Sequence, residues 1–223
     1  MRTAVREVFA AAAAAYDRGN PLFALERPET EALLPPFAGL DVVDLGAGTG
    51  HYARLALARG ARSAIAIDST AEMLAHAPRP SVVADVTELP FRGESADVAI
   101  AGLLLSFVSS LEAALREVAR LLRPGGLLIA SDLHPIASQR GWHRSFSGPN
   151  GERVVIDAPP PSLQRVKAAL EDAGLRCDAF REPVIDERLR PEFERAGRSD
   201  FETLRGTPLL QVVRARKDPQ HAA

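Results

Sequence analysis

The chain is poor in cysteine and carries no excess of positive charge. Cys177 is the single cysteine among 223 residues, which excludes an internal disulfide and a cysteine-rich metal site, so we expect no metal. Lysine and arginine number 27 against 29 aspartates and glutamates, giving a formal net charge of −2. This balance lacks the basic field by which proteins hold nucleic acids or anionic membranes, so we expect neither partner.

Long apolar segments are also absent. The longest apolar runs, such as residues 100–108, are far too short to span a bilayer. Near the N-terminus, Arg6 and Glu7 interrupt the apolar core that a signal peptide would need. These features predict a cytoplasmic protein.

The apolar residues that are present suffice for one sizeable core. The chain is 46% hydrophobic and 25% charged, which at this length predicts a single globular domain. We place this domain at residues 1–216 and expect a frayed tail at 217–223. Short β-like runs alternate with helical stretches, which predicts βαβ units and a parallel, doubly wound sheet. The β-like runs lie at 41–45, 63–67, 81–84, 96–101 and 126–131, and the helical stretches at 50–59, 70–77 and 110–122.

The N-terminal flank is predicted to be helical. Alanine and spaced apolar residues predict a helix over residues 2–16. Pro28 is a suitable first residue for a second helix, which Pro35 would stop. Residues 1–36 are therefore expected to form a helical N-terminal cover.

The alternation stops after residue 132. A turn signal at 148–151 separates two β-like arms, 144–147 and 152–157, which predicts a small hairpin. We place this hairpin in an insert that spans residues 133–161. A further helix is expected at 162–173, and two last strands at 176–183 and 208–214, joined by a charged segment.

A glycine-rich turn is the most informative motif. Gly46, Gly48 and Gly50 follow a β-like run in VVDLGAGTGHY and precede a helix-forming stretch. A strand that ends in glycines and turns into a helix lets the backbone approach a ligand, with helix-start N–H groups directed at it. The turn therefore predicts a nucleotide-type cofactor site. His51 stands where the dinucleotide fingerprint needs a glycine, and Asp44 would repel a pyrophosphate but accept a cation or a hydrogen-bond donor.

Two more carboxylates end β-like runs. Asp68 lies 22 residues after Gly46, where it could accept both hydroxyls of a ribose. It could instead be the cap of the helix that begins near Thr70. Asp85 ends the third run, where it could accept from the exocyclic amine of an adenine, or be a turn residue before Val86.

Several motifs occur in the order typical of one enzyme family. VVDLGAGTG, IAID, VVADVTELPF, DVAIAGLLLSFV and LREVARLLRPGGLLIAS together resemble the class I S-adenosylmethionine-dependent methyltransferases, and closely the small-molecule branch called methyltransferase domain type 11. The match covers roughly residues 40–132. It implies a Rossmann-like methyltransferase fold: an α/β, doubly wound, mostly parallel seven-stranded sheet with an N-terminal helical segment and a small insert after strand 5. It also implies S-adenosyl-L-methionine as cofactor and a small organic molecule as methyl acceptor.

The resemblance assigns roles to residues of this sequence. The first two glycines of the turn would pass under the methionine part of the cofactor, and Asp44 would face its amino group. Asp68 would hold the ribose diol, while Asp85 and Val86 would bind the adenine. Further expected contacts are Tyr16 over the cofactor carboxylate, Met73 beside the adenine, Ala101 and Gly102 at the methionine end, and Ala47 and Ser69. For Tyr16 and Met73, core packing is an alternative role.

The chemistry needs few side chains. Methyl transfer from a sulfonium is an in-line displacement, so the protein must mainly hold the nucleophile and the methyl group together in a dry pocket. An acceptor that must lose a proton also needs a base. His134, which precedes Pro135 just past the fifth strand, and His143, beside Trp142, are the candidate catalytic residues. Alternatively, His134 is an ordinary loop histidine and Trp142 anchors the insert on the core.

The acceptor itself is less well defined. The resemblance implies that the insert at 133–161 covers it, and the wholly apolar segment 101–105 favours an apolar or carbon acceptor. A nicotinamide-dependent oxidoreductase is an alternative function, although His51 and Asp44 count against it. A non-catalytic cofactor-binding scaffold of the same fold is another. We expect a monomer or a homodimer.

Overall fold

A mixed β-sheet of seven strands organises the protein. The computed structural model describes residues 3–17, 21–147 and 153–219. The strands are β1 (Asp41–Leu45), β2 (Ser63–Asp68), β3 (Ser81–Val83), β4 (Ala96–Ala101), β5 (Leu122–Leu133), β6 (Arg144–Ser147), β7 (Arg153–Ile156), β8 (Leu175–Arg181) and β9 (Leu210–Lys217). The sheet order is β3-β2-β1-β4-β5-β9-β8, and β6 pairs with β7 separately. The first five strands are parallel, and β9 runs antiparallel to β5 and β8. The predicted mostly parallel, seven-stranded sheet is confirmed.

Helices cover both faces of this sheet. They are α1 (Thr3–Ala12), α2 (Pro21–Glu31), α3 (His51–Ala58), α4 (Ala71–Leu74), α5 (Leu111–Leu121), α6 (Pro135–Gln139), α7 (Leu163–Asp172), α8 (Arg190–Arg195) and α9 (Phe201–Leu204). Val42 packs with α2 and α3, whereas Val43 packs with α5 and α7. Successive strand residues point to opposite faces, so the two clusters are the two sides of the sheet.

The start of α2 differs from the sequence prediction. The helix begins at Pro21 and continues through Pro28, so the predicted start at Pro28 is wrong. Proline suits the first helical turn, where its missing N–H has no intrahelical partner. An interior proline costs about 3 kcal/mol. Burial of Leu22 and Leu25 on the same helix offsets this cost, since each large apolar side chain contributes roughly 1.5–3 kcal/mol.

The fifth strand is longer than expected. β5 begins at Leu122 and includes the RPGG segment as an irregularity, because Ala96 pairs with Leu122 while Val98 pairs with Leu127. The expected fraying from residue 217 is wrong at its first residue. Lys217 is a buried member of β9 and donates to the carbonyl of Leu122 at 2.9 Å.

The insert and the charged C-terminal segment contain helices that the sequence did not indicate. The hairpin of β6 and β7 is confirmed, and its predicted turn at 148–151 lies outside the described residues. Helix α6 precedes the hairpin, and α8 and α9 form in the charged segment before β9. Phe193 and Phe201 anchor these two short helices, with ring centroids 5.2 Å apart. Within the described residues, no helix is long and apolar enough to cross a membrane.

Candidate active site

A cleft of about 630 Å³ opens where the parallel strands end. Segments that follow β1, β2, β3 and β4 line it, as expected for a ligand site in a doubly wound sheet. Phe9 and Tyr16 of the N-terminal cover line it from the other side. The structure therefore brings together most of the residues expected at the cofactor. Those that line the cleft are Tyr16, Gly46, Gly48, Asp68, Ser69, Met73, Asp85, Val86 and Gly102.

The glycine turn forms the cleft floor with bare backbone. Gly46 and Gly48 have left-handed φ values of 61° and 53°, which disfavour any residue with a Cβ. A Cβ at Gly46 would lie 2.5 Å from Cδ1 of Leu104, and one at Gly48 would lie 3.0 Å from Cε of Met73. The backbone conformation therefore favours glycine at both positions, and a Cβ at Gly46 would in addition displace the side chain of Leu104.

Asp44 is directed away from the cleft. Its Oδ2 accepts the N–H of Ala53 at 2.9 Å and so caps the start of α3, where Gly50 provides no side-chain cap. The carboxyl group is only 1% exposed, and burial raises its pKa to about 7, with Asp68 and Glu26 adding to the effect. Of the other expected contacts, Ala101 and Ala47 also do not line the cleft.

Asp68 both holds backbone N–H groups and lines the cleft. Its Oδ2 accepts the N–H of Gly48 at 2.9 Å, and its Oδ1 accepts the N–H of Thr70 at 2.8 Å. Both alternative roles are compatible, because the carboxylate that caps the helix near Thr70 also lines the cleft. Burial raises the pKa of Asp68.

Asp85 likewise combines a turn with a place in the cleft. Its Oδ1 accepts from the N–H of Thr87 at 3.0 Å and from its hydroxyl at 2.8 Å. The side chain still borders the cleft together with Val86. The bonds from Thr87 to Oδ1 form an Asx turn. The second carboxylate oxygen of Asp85, Oδ2, lies 3.7 Å from Nη2 of Arg6.

The N-terminal cover is fastened to the glycine turn. Tyr16 packs against Phe23 with ring centroids 5.2 Å apart, and burial raises its pKa. Thr49, within the turn, donates its hydroxyl to Oδ2 of Asp17 at 2.7 Å. Met73 is buried at the cleft edge. Core packing and cleft lining therefore coincide at Tyr16 and Met73.

Neither candidate catalytic histidine lines the cleft. Nδ1 of His134 accepts the N–H of Ile136 at 3.1 Å and caps α6, while Nε2 lies 3.0 Å from Oε1 of Glu182. With both ring nitrogens engaged and 6% exposure, His134 has a structural role. His143 is exposed. The neighbouring Trp142 anchors the insert, stacking under Arg198 at 4.0 Å. The geometry supports neither histidine as a catalytic base.

An apolar wall borders the cleft beyond Gly102. It consists of Leu103, Leu104, Phe107, Val108 and Phe9. The sequence also predicts Ser106 and Phe107 as pocket-wall residues, and of these two Phe107 lines the cleft. Sequence reasoning missed Phe9 of α1, whose ring lies 5.1 Å from that of Phe107 in an edge-on arrangement.

A buried ion pair supports the apolar wall from behind. Arg144 of β6 contacts Asp132 at the end of β5 through its guanidinium. It also donates to the carbonyl of Leu103 at 3.1 Å and lies 4.6 Å from the ring centroid of Phe107. Asp132 in turn accepts from the N–H and the hydroxyl of Ser106. The insert therefore reaches the cleft through Arg144.

Comparisons of the sequence and of the structure with known proteins both find methyltransferases. Residues 43–130 match the family model described as a methyltransferase domain. The chain is 35% identical over 137 residues to a malonyl-[acyl-carrier protein] O-methyltransferase of Pectobacterium atrosepticum, covering 59% of this chain but only 54% of that relative. It is 33% identical to an uncharacterized methyltransferase of Mycobacterium tuberculosis, covering 70% of this chain and 67% of the relative. The crystal structure of an S-adenosylmethionine-dependent methyltransferase from Mesorhizobium loti superposes with a TM-score of 0.67 at 27% identity, covering 86% and 97% of the two chains.

The fold, the glycine turn and these relatives define one class of enzyme. The chain belongs to the S-adenosylmethionine-dependent methyltransferases, and its cofactor is S-adenosyl-L-methionine. The charges of one carboxylate in the cleft, Asp68, and of two beside it fit this cofactor. Asp44, Asp68 and Glu26 are neighbouring carboxylates that form no ion pair with any described lysine, arginine or histidine. A ligand that carries a sulfonium and an ammonium supplies the missing positive charge.

Several of the lining residues could contact this cofactor. Asp68 would accept from the ribose, Asp85 and Val86 would lie at the adenine, and Gly46 and Gly48 would allow close approach of the backbone. When bound, the cofactor supplies an activated methyl group on a sulfonium.

Proposed function

We propose that this protein transfers a methyl group from S-adenosyl-L-methionine to a small organic molecule by in-line displacement. The observation that carries the proposal is the apolar wall, which continues the cofactor cleft beyond Gly102. Apolar surroundings exclude water and place the acceptor against the methyl group, which is the main contribution that a protein makes to this reaction.

The lining residues also limit how the acceptor can be activated. Asp68 and Asp85 lie among the cofactor contacts, and Tyr16 is the other titratable residue among those that line the cleft. Burial raises the pKa of Tyr16, so its phenol stays protonated at neutral pH and cannot act as a base. We therefore propose an acceptor whose reacting atom is nucleophilic at neutral pH without the help of a base.

A carboxylate oxygen is a second candidate acceptor. A carboxylate is ionised at neutral pH and needs no base. The Pectobacterium atrosepticum relative is a malonyl-[acyl-carrier protein] O-methyltransferase. In this chain, Arg144 adds a guanidinium behind Phe107, and its Nε is buried without a hydrogen-bond partner. That donor could serve an anionic acceptor if the wall moves.

A labelling experiment tests both candidates. The purified chain is incubated with methyl-labelled S-adenosylmethionine and three acceptor groups: acyl carboxylates as free acids and thioesters, phenols and quinols, and amines. We expect label in a group whose reacting atom is nucleophilic without a base, and label only on the protonated phenols or amines would contradict that part of the proposal. Release of that label by mild alkali identifies a methyl ester and therefore a carboxylate acceptor. If the protein binds S-adenosylhomocysteine but labels none of the three groups, the proposed function is contradicted and a non-catalytic scaffold is favoured.

A further inference from the structure

A buried carboxylate of α2 lies next to the cleft. Glu26 is 2% exposed. Its Oε1 accepts three hydroxyl groups: Tyr52 at 2.7 Å, Ser131 at 2.6 Å and Thr30 at 2.9 Å. Three donors on one oxygen are the arrangement expected for an ionised carboxylate, which only accepts hydrogen bonds.

The hydrogen bonds to the described residues leave the second oxygen of this carboxylate available to a ligand. Among the described residues no donor reaches Oε2 of Glu26, and no lysine, arginine or histidine forms an ion pair with it. A buried carboxylate without a cation is costly unless a ligand provides the charge. The negative charges of Asp44 and Asp68 nearby increase the need for a cation.

The position of Glu26 defines which cation can reach it. A Cβ added to Gly102 would lie 3.4 Å from Oε1 of Glu26 and 2.6 Å from Cε2 of Tyr52. Gly102 lines the cleft and, having no side chain, leaves only backbone between the cleft and the carboxylate. Ser131 extends the same contact, because its hydroxyl oxygen accepts the N–H of Leu103 at 3.0 Å.

Asp44, the other carboxylate near this end, is committed elsewhere. Its Oδ2 caps α3 through the N–H of Ala53. Neither Asp44 nor Glu26 is among the residues that line the cleft, but Glu26 lies directly behind one that does, Gly102. We infer that Glu26, through Oε2, binds the α-ammonium group of S-adenosyl-L-methionine next to Gly102. This inference rests on the cofactor, not on the acceptor assigned under the proposed function.

Two other roles for Glu26 give different outcomes. A general base would have to face the apolar wall, where the acceptor lies, whereas Glu26 lies behind Gly102 on the side of Tyr52. A purely structural carboxylate would support the site through its three hydroxyl partners, so its replacement would change the affinity equally for ligands with and without the α-amine. Each role therefore predicts a distinct combination of affinity, turnover and stability.

Calorimetric titration distinguishes these roles. S-adenosylhomocysteine and its desamino analogue, which lacks only the α-amine, are titrated into the wild type and Glu26→Gln. We expect Glu26→Gln to weaken S-adenosylhomocysteine at least tenfold and to leave the desamino analogue within twofold. Glu29→Gln is the matched control on the same helix, because Glu29 pairs with Arg181 at the surface, and it should bind both ligands like the wild type.

Several results would overturn the inference. Equal weakening of both ligands would make Glu26 structural, unchanged affinity for both would remove it from the site, and loss of turnover at unchanged affinity would make it a base. The ligand-free melting temperature is an independent check. Because the amide keeps an acceptor oxygen for the three hydroxyls, we expect Glu26→Gln to fold and to melt close to the wild type. Failure to fold would make Glu26 a structural residue and would contradict the inference. Binding of S-adenosylhomocysteine by the wild type remains testable in either case.

Discussion

Replacing Asp44 with asparagine tests the electrostatics of the glycine turn. The asparagine keeps a side-chain oxygen for the N–H of Ala53, which the aspartate accepts at 2.9 Å, but removes a buried negative charge. Burial raises the pKa of Asp44 from 3.8 to about 7. A difference of this size corresponds to roughly 4 kcal/mol between the two protonation states.

The sign of the effect follows from proton linkage. Because the pKa of Asp44 is raised in the folded state, folding takes up a proton between pH 3.8 and about 7. The contribution of this group to stability is therefore fully present below pH 3.8 and is lost as the pH rises towards 7. In the ligand-free protein, Asp44→Asn should be more stable than the wild type by roughly 1.5 kcal/mol at pH 5 and by roughly 4 kcal/mol at pH 8.

Urea unfolding of the ligand-free proteins at several pH values measures this difference in stability between Asp44→Asn and the wild type. Asp178→Asn is the control, because Asp178 forms an ion pair with Arg214 near the surface, and its curve should follow that of the wild type with pH. If the stabilities of Asp44→Asn and the wild type changed in parallel between pH 5 and 8, Asp44 would carry an ordinary pKa and the reasoning would be refuted.

Two further substitutions separate site residues from structural ones. Gly46→Ala should lose about 1–2 kcal/mol of stability from its left-handed backbone. It should also weaken the binding of S-adenosylhomocysteine, because its Cβ would lie 2.5 Å from Leu104. Gly125→Ala is the control, because Gly125 has a similar φ but open space around it; calorimetry should show unchanged affinity for this variant, and equal affinities in both variants would argue against Gly46 as part of the binding site. His134→Ala should cost about 1 kcal/mol through the lost cap of α6, as seen by chemical unfolding. Turnover should not change, and a large fall in turnover at full stability would restore His134 as a catalytic residue.

The order of the elements could be read from the sequence because the physical signals are local. The alternation of β-like runs with amphipathic stretches reports burial directly, and five parallel strands occur where they were expected. The failures also have local causes. Pro28 lies within α2 because packing of Leu22 and Leu25 prevails over the proline, and such tertiary contacts leave no mark on residue spacing.

Part of the candidate site was similarly predictable. Asp68 and Asp85 end strands, and all parallel strands end at the same edge, so their convergence on the cleft follows from topology. The orientation of Asp44 could not be read in this way, because Asp44 turns to the free N–H groups of α3. The position of Glu26 beside the cleft could not be predicted for a different reason. Its neighbours Tyr52 and Ser131 are 26 and 105 residues away in the sequence.

The central claim is that the cleft binds S-adenosyl-L-methionine with its ribose at Asp68, and calorimetric titration of S-adenosylhomocysteine into the wild type and Asp68→Ala tests it most directly. The wild type should bind one equivalent. The variant loses charge-assisted hydrogen bonds to the ribose and the carboxylate that holds the N–H of Gly48, so its affinity should fall by roughly 1.5–3 kcal/mol, which is about 10- to 150-fold. No heat with the wild type, or equal affinity in the wild type and Asp68→Ala, would contradict the account.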